Sequence, residues 1–339
     1  MTPNPQLLQR DLARAFAEAN VGDVQHATRD MVDEGTQLLA RLLAEAARFN
    51  PRRHLHSALL LLLRHCIEQA DAVDELMREG IFTPAALQVR SIIEAYMQML
   101  YMTARRVEFA PSPLGANHVD PVPMDPSTNL PVTGFALDAV KERRGAAYIV
   151  ADVRKTRDFT HGLSTTQVTK WMLRATGSDA VPDMITDPAK QAGLAEELAR
   201  HDATLASAEF CEINTAITAA RGSRSYDLPW YAIDGGPTSA RALSASVGAI
   251  SLYDLFYTPA SEVMHAQNIR RQLGDARDTG GHGPAPLRSA HTLGSGVVWK
   301  LFIAMAQVYR VAIQELRPSD MELWNQWAQR WFAVVAEEE

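Results

Sequence analysis

Apolar residues recur with the period of an α-helix along almost every long segment of this chain. Alternating β-branched runs, which are typical of strands, are nearly missing, and 148–150 is the one short strand-like patch. The pattern therefore predicts an all-α protein. The predicted helices cover 5–20, 24–49, 52–79, 85–106, 135–160, 165–176, 187–220, 238–247, 249–271, 289–316 and 319–336.

The segment 85–106 is expected to be the central helix of the bundle. It is apolar almost all round, and its polar residues fall mainly on one narrow stripe, which is typical of a helix wrapped by others. Thr83 and Pro84 predict its start, as a cap followed by a proline in the first turn. The stripe consists of Gln88, Ser91, Glu94, Gln98 and Arg105.

Two segments rich in proline and glycine interrupt the helical pattern, at 107–132 and 274–288. Such composition predicts loops, and we expect both to be mobile. The sequence therefore predicts a helical bundle with two long Pro/Gly-rich loops. We place N-terminal helices in residues 1–50, packing on a main bundle of residues 51–339.

Composition narrows the class of protein. The chain has 339 residues, 47% of them hydrophobic, which is enough for a large core. A net charge of -7 excludes a global electrostatic attraction for nucleic acid, so such binding would need a local basic patch. Two cysteines argue against a disulfide framework and favour a cytoplasmic protein. The polar N-terminus and the short aliphatic run 58–63 predict neither a signal peptide nor a membrane span.

Four residues with reactive side chains recur every four positions in the second half: Tyr253, Tyr257, Ser261 and His265. This spacing brings them toward one face of a helix. Histidine titrates near neutrality, so His265 is a candidate for acid–base chemistry or RNA contact. The alternative is a buried histidine that bonds Ser261 or Tyr257 and holds two helices in register.

The same stretch contains Thr258 and Pro259, which break the helical pattern. A proline inside a helix costs about 3 kcal/mol, so we expect Thr258 to cap a new helix with Pro259 at its first position. The helix would then kink between Tyr257 and Ser261.

The central helix carries a second candidate pair. Arg90 and Glu94 stand four apart and form either a solvated ion pair or a site in which Glu94 faces His265. On the preceding segment, His65 and Glu68 add an imidazole and a carboxylate, which raises a metal-dependent enzyme as a third alternative. The Glu-x-x-His order of bundle metal sites is missing, so we predict no metal and no cofactor.

Other signatures are few. Arg154 and His161 match the arginine–histidine spacing of helical ribonucleases, at the end of a basic helix that either contacts phosphate or forms a solvated charged face. The sequence has no Gly-rich phosphate loop, no G-x-S-x-G elbow, no H-E-x-x-H and no C-x-x-C.

Two stretches together resemble a bacterial all-helical family of unknown function. The first is the R-S-x-x-E helix beginning at Arg90, followed by a tyrosine at 101. The second is Trp230–Tyr231 followed by Y-x-x-x-Y-x-x-x-S-x-x-x-H from Tyr253 to His265. The family is similar in outline to HEPN-like proteins, many of which are toxin or phage-defence ribonucleases. The chain departs from the pattern at Pro259 and in the 107–132 insertion.

The resemblance implies an all-α fold and a set of signature positions: Arg90, Glu94, Tyr257, Ser261 and His265. It also implies RNA as a partner and a site formed across a homodimer. We expect an RNA-cleaving or phage-defence effector with these residues as its catalytic group. The alternative is a non-enzymatic interaction or scaffold protein, in which the same residues are structural and the loops bind a protein partner.

Overall fold

The computed structural model describes residues 22–46, 54–79, 81–107, 122–125, 128, 130–164, 187–224, 227–258, 273–276, 281–284 and 293–336. Within these residues the chain is all-α apart from one short pair of strands, which confirms the predicted fold class. Contacts divide the chain into two compact units, residues 1–132 with 240–339, and residues 133–239. This division differs from the predicted boundary at residue 50.

The first unit is built around the predicted central helix. Its helices are α1 (Gly22–Ala46), α2 (His54–Arg78), α3 (Phe82–Met102), α7 (Ala240–Ser246), α8 (Ile250–Leu252), α9 (Leu293–Leu316) and α10 (Met321–Ala336). A π-helical turn, Tyr253–Tyr257, continues α8, and a 3-10 turn, Pro318–Asp320, precedes α10. Helix α3 packs against α2, α7, α9 and the π turn. It begins at Phe82 after Ile81, so the prediction that Thr83 caps it is wrong.

A close approach between α1 and α9 fixes the core of this unit. The fully buried hydroxyl of Tyr309 donates to the Met31 carbonyl at 3.0 Å. A Cβ added to Gly35 would lie 1.8 Å from that hydroxyl oxygen, so only glycine fits at position 35. Trp327 and Trp331 of α10 pack against the same tyrosine ring, with centroids at 6.3 and 5.7 Å. This aromatic cluster joins three helices.

The second unit contains α4 (Gly134–Ser164), α5 (Pro188–Ala206), α6 (Cys211–Arg221) and a 3-10 turn, Trp230–Gly235. The strand-like patch 148–150 lies within α4. Asp187 caps α5 by accepting the Ala189 N–H at 2.8 Å, with Pro188 at the first position, as Asp-Pro predicts. The helix predicted over 187–220 is two helices, because α5 ends at Ala206 and α6 begins at Cys211.

The two predicted loops contain local structure where they are described. In the first, the Asp125 N–H bonds the Leu130 carbonyl and the Val132 N–H bonds the Pro123 carbonyl, both at 2.9 Å, which makes a tight turn. In the second, β1 (Leu273–Ala276) and β2 (Gly281–Pro284) pair antiparallel, so a plain loop is wrong there. The rest of both segments and the predicted helices 5–20 and 165–176 lie outside the described residues.

One stretch of α9, Gly296–Leu316, is long and apolar enough to cross a membrane by length and composition. However, 67% of its apolar window is buried inside the fold, where α9 packs on α1, α2, α3 and α10. The core helix of a globular protein has the same composition. The apolar character of α9 is therefore accounted for by its place in the core.

Candidate functional site

The part of the polar stripe that holds Ser91 and Glu94 lies near the contacts of α3 with α2 and the π turn. Arg90, Ser91 and Glu94 are half-buried, whereas the apolar residues beside them, such as Ile92 and Ile93, are buried. Because an apolar helix must bury its other faces, the stripe stands at the seams between packed elements. Polar side chains at such seams must find partners.

Arg90 finds its partner on the π turn. Its Nη2 donates to the hydroxyl oxygen of Tyr257 at 2.6 Å, and its Cζ lies 4.2 Å from the centre of the Tyr257 ring. Tyr257 is only 8% exposed, so this charge-assisted bond and cation–π contact are partly shielded from water. The structure therefore joins the two motifs that the sequence singled out, at one residue from each.

The π turn explains how Tyr257 reaches Arg90 so close to a proline. The Thr258 N–H bonds the carbonyl of Tyr253, five residues back, and the Thr258 hydroxyl donates to the same carbonyl at 3.2 Å. Pro259 lacks an N–H, so it cannot donate the regular α-helical hydrogen bond to the Leu255 carbonyl. Thr258 has helical φ and ψ of -63° and -49°, so the prediction that it caps a new helix is wrong.

Further contacts extend the Arg90–Tyr257 pair along the turn. The rings of Tyr253 and Tyr257 stack with centroids 4.6 Å apart and planes 19° apart. Arg241 of α7 lies over the Tyr253 ring at 5.9 Å and pairs with Asp254 at 3.2 Å. Two guanidinium groups and two phenol rings thus follow one another along the turn. Each guanidinium group is stabilised by the π face of the ring over which it lies.

The Tyr257 phenol is held in its neutral form. Burial raises its pKa above the usual value of 10, the Arg90 hydrogen bond opposes this rise, and the negative charge of Glu94 adds to it. At neutral pH the hydroxyl therefore accepts from Arg90 while keeping its own proton. Glu94 lies close enough for its negative charge to raise the pKa of Tyr257. A site in which Glu94 faces the second motif requires such closeness.

Of the predicted pair His65 and Glu68, both on α2, the histidine contacts the central helix. His65 Nε2 and the Ser91 hydroxyl share a hydrogen bond of 2.9 Å, which joins α2 to the position next to Arg90. Glu68 instead pairs with Arg64 at 2.8 Å on the exposed side of α2. Among the described residues no three His, Cys, Asp or Glu side chains are grouped to hold a metal ion. The proposed ligands His65 and Glu68 thus have other partners.

Of the ribonuclease-like pair Arg154 and His161, the arginine takes a structural role in the second unit. Arg154 donates to both carboxylate oxygens of Asp227, at 2.8 and 3.1 Å, and to the Asn214 and Thr218 side chains. Its side chain is 16% exposed, and its donors already have protein acceptors. His161 lies exposed in the last turn of α4. Arg154 therefore anchors α4 to α6 and the 3-10 turn region rather than presenting a free charge to phosphate.

Ser261 and His265 lie outside the described residues. Their roles, and those of Arg90, Glu94 and Tyr257 in catalysis, stay predictions. The structure adds Arg241 and Asp254 to the candidate site. The sequence did not single them out, because contact between α7 and the π turn depends on how these two short elements fold back on each other. Trp230 and Tyr231 of the family-like block lie buried in the 3-10 turn of the second unit, where Trp230 packs edge-on against Tyr148 at 5.9 Å.

No protein-family model, no curated protein and no solved structure matches this chain. The resemblance to HEPN-like proteins therefore rests on the two sequence motifs alone.

Proposed function

We propose that this chain is a HEPN-like helical protein that cleaves RNA at a site formed by Arg90, Tyr257 and His265. The observation that carries the proposal is the contact between Arg90 and Tyr257, because it joins the two signature motifs. It supplies an oriented cation beside the segment that leads to His265.

The chemistry requires a base, a cation and an acid. His265 takes the proton from a ribose 2′-hydroxyl, and the resulting oxygen attacks the adjacent phosphorus. The bond from phosphorus to the 5′-oxygen breaks, and that oxygen takes a proton from a water molecule, which regains one from protonated His265. The products are a 2′,3′-cyclic phosphate and a 5′-hydroxyl. The electron pair of the broken bond leaves with the 5′-oxygen, and no oxidant or metal is needed.

In this proposal Arg90 neutralises the charge that develops on the phosphate oxygens. Tyr257 positions the Arg90 guanidinium through its hydroxyl and its ring. Ser261 and Glu94 orient His265, with Glu94 accepting the second ring N–H as carboxylates do for catalytic histidines. A half-buried Arg90 is suited to this role, because its charge is screened less than that of an exposed arginine.

The cellular setting follows from the same resemblance. An RNA-cleaving effector of phage defence or of a toxin system would act in the cytoplasm, and a homodimer would complete its site by analogy with HEPN-like ribonucleases. Light scattering on the purified protein reports the oligomeric state directly. A monomer at working concentration would remove the shared-site part of the proposal.

The test is cleavage of a single-stranded RNA by purified protein beside His265→Ala and Arg90→Gln. Both variants should lose activity by about a hundredfold or more, as expected for loss of acid–base or electrostatic catalysis. His161→Ala is the matched control, because it removes an exposed histidine whose neighbour Arg154 is already engaged. Equal activity in the wild type and His265→Ala, or none in either, would sink the proposal.

A second candidate function is favoured by one observation: described members of the site bond one another, Arg90 with Tyr257 and His65 with Ser91. An interaction or scaffold protein uses such pairs to lock helices in register. It predicts that His265→Ala lowers the melting temperature without any catalytic defect. Deleting residues 108–120 would then abolish capture of a protein partner while the fold persists.

A further inference from the structure

The π turn presents a second group of side chains that the proposed chemistry does not use. Phe256 packs edge-on against Trp299 of α9, with centroids 6.4 Å apart, and Lys300 Nζ lies 5.4 Å from the Phe256 ring centre. Trp299 is 45% exposed and Leu255 is 63% exposed, so aromatic and apolar surface faces water here. Large apolar side chains on a surface mark contact sites more often than not when they cluster.

The arrangement of charge around these rings limits the kinds of partner. Arg90, Arg241 and Lys300 lie over three successive rings of the turn, Tyr257, Tyr253 and Phe256 respectively. The nearby carboxylates are Asp254, which pairs with Arg241, and Glu94. Of these cations, Lys300 is the chain neighbour of the exposed Trp299. A lysine beside an exposed aromatic ring suits a chain that offers a flat base next to a phosphate. A purely apolar partner would make no favourable electrostatic contact with these cations.

We infer that Phe256, Trp299 and Lys300 form a stacking platform for single-stranded nucleic acid beside the Arg90–Tyr257 junction. One base stacks on the exposed face of Trp299, and Lys300 contacts an adjoining phosphate. Phe256 supports the indole from the side and is the direct chain neighbour of Tyr257. The choice of RNA as the natural strand rests on the proposed function, whereas the stacking contact itself does not.

The charge of the whole chain opposes the binding of nucleic acid. At a net charge of -7 the protein as a whole repels a polyanion, so affinity must come from stacking and a few local cations. Stacking is tolerant of base identity, because every base has a π face. The platform therefore predicts weak salt dependence, with a slope of about -0.7 in log K per log salt for each phosphate contacted.

The experiment uses fluorescence anisotropy of the full chain with a labelled single-stranded DNA of about 12 nucleotides, within the range of single-strand site sizes. DNA lacks the 2′-hydroxyl and cannot be cleaved by the proposed chemistry, so binding is measured separately from catalysis. Trp299→Ala should raise the Kd about fivefold or more, as expected for loss of one stacked base. Trp299→Phe keeps a stacking ring and should stay within about twofold, on the same grounds.

Two further variants make the test specific. Lys300→Gln should reduce the salt slope by about 0.7, because one phosphate contact is lost. Phe159→Ala is the matched control: it removes a ring that is 67% exposed in the second unit and should leave the Kd unchanged. Far-UV circular dichroism checks that each variant is folded. If Trp299→Ala is not, Trp299→Leu takes its place, because leucine keeps apolar volume but has no ring on which a base can stack.

The outcomes separate this inference from the proposed function. Weaker DNA binding by Trp299→Ala, together with no RNA cleavage by the wild type, keeps the platform and removes the ribonuclease. Active RNA cleavage, together with unchanged DNA binding by Trp299→Ala, removes the platform and keeps the ribonuclease. No DNA binding by the wild type at low salt, or binding only to anionic lipid vesicles, overturns the platform.

Discussion

Arg90 and Tyr257 are 167 residues apart in the sequence and form a hydrogen bond of 2.6 Å, with the guanidinium carbon 4.2 Å from the ring centre. This one contact ties the central helix α3 to the π turn. The turn ends at Tyr257, and the Arg90 contact adds a side-chain bond to the packing of the turn on α3. The pair is therefore structural as well as a candidate catalytic element, and stability measurements are needed to separate the two roles.

The first prediction concerns the hydroxyl of Tyr257. Tyr257→Phe keeps the ring but removes the acceptor of the Arg90 bond, and a bond to a charged group contributes about 1.5–3 kcal/mol. We expect the free energy of unfolding in urea to fall by that amount. Tyr253→Phe is the matched control in the same stacked pair and should cost less, because Arg241 contacts its ring rather than its hydroxyl.

A double-mutant cycle with Arg90→Met tests whether the two residues act together. Residues in direct contact show a coupling energy of about 0.5–3 kcal/mol. Strictly additive losses in the cycle would mean that the contact contributes nothing to the fold. A functional effect of Tyr257→Phe beyond its stability loss would then have to come from chemistry at the site.

The second prediction concerns Gly35. A methyl group at this position would lie 1.8 Å from the Tyr309 hydroxyl oxygen, and both residues are buried between α1 and α9. Forcing extra volume into a packed core costs about 1–3 kcal/mol, so Gly35→Ala should lower the free energy of unfolding by at least that much. Differential scanning calorimetry or urea unfolding measures the change.

Gly296→Ala provides the matched control for this clash. Gly296 lies within α9 and its added Cβ would meet nothing within 4 Å. Alanine is the better helix former by about 1 kcal/mol, so this variant should be neutral or more stable. A Gly35→Ala protein as stable as Gly296→Ala would show that α1 and α9 are further apart than described.

Hydrophobic periodicity predicted most of the fold, because the local spacing of apolar residues sets the buried faces of α2, α3 and α9. The periodicity did not predict the break between α5 and α6, because no proline or glycine lies at 207–210. The chain bends there and buries Leu205, Phe210 and Ile213 in one core. The periodicity did not predict the second unit either, because the long-range contacts that hold it together, such as Arg154 with Asp227, leave no signal in the local sequence.

The candidate site was predictable in part for the same reason. Arg90 and Tyr257 were visible as members of two motifs, but their contact depends on the packing of α3 against the turn. The π geometry at Tyr253–Tyr257 was missed because the sequence rule for proline favours a fresh helix start, whereas Thr258 bonds back to Tyr253. Trp299 was one apolar residue among many in α9, and its exposure depends on tertiary structure.

The third prediction separates Arg154 from any role in RNA contact. Arg154→Lys replaces a forked group that bonds Asp227, Asn214 and Thr218 with a single ammonium. Lysine cannot reproduce the bidentate pairing, so the free energy of unfolding should fall by about 1–3 kcal/mol. Lys155→Arg, at the exposed next position, should change it by less than about 0.5 kcal/mol.

RNA binding is the second measurement for this variant. Because the Arg154 donors have protein acceptors, Arg154→Lys should bind single-stranded RNA as tightly as the wild type at a temperature where both are folded. A loss of binding without a loss of stability would instead give Arg154 and His161 the phosphate-contacting role that their spacing first suggested.

The fourth prediction is a pH dependence that arises at Glu34. Burial raises the pKa of this carboxyl above its usual 4.5, while the ion pair with Arg330 and the bond from Trp331 Nε1, at 3.0 Å, oppose the rise. A carboxyl with a raised pKa binds its proton more tightly in the folded state than in the unfolded state. Its contribution to stability is therefore complete below pH 4.5 and is lost as the pH rises through the folded pKa.

Glu34→Gln isolates this contribution, because glutamine keeps an acceptor for Trp331 and cannot titrate. The difference in unfolding free energy, wild type minus variant, should decrease as the pH rises from about 4 through the window above 4.5. Urea unfolding followed by tryptophan fluorescence measures it. Arg330→Gln removes the opposing ion pair and should extend the decrease to higher pH. A difference that instead increases with pH would show that Arg330 and Trp331 outweigh burial and hold Glu34 charged.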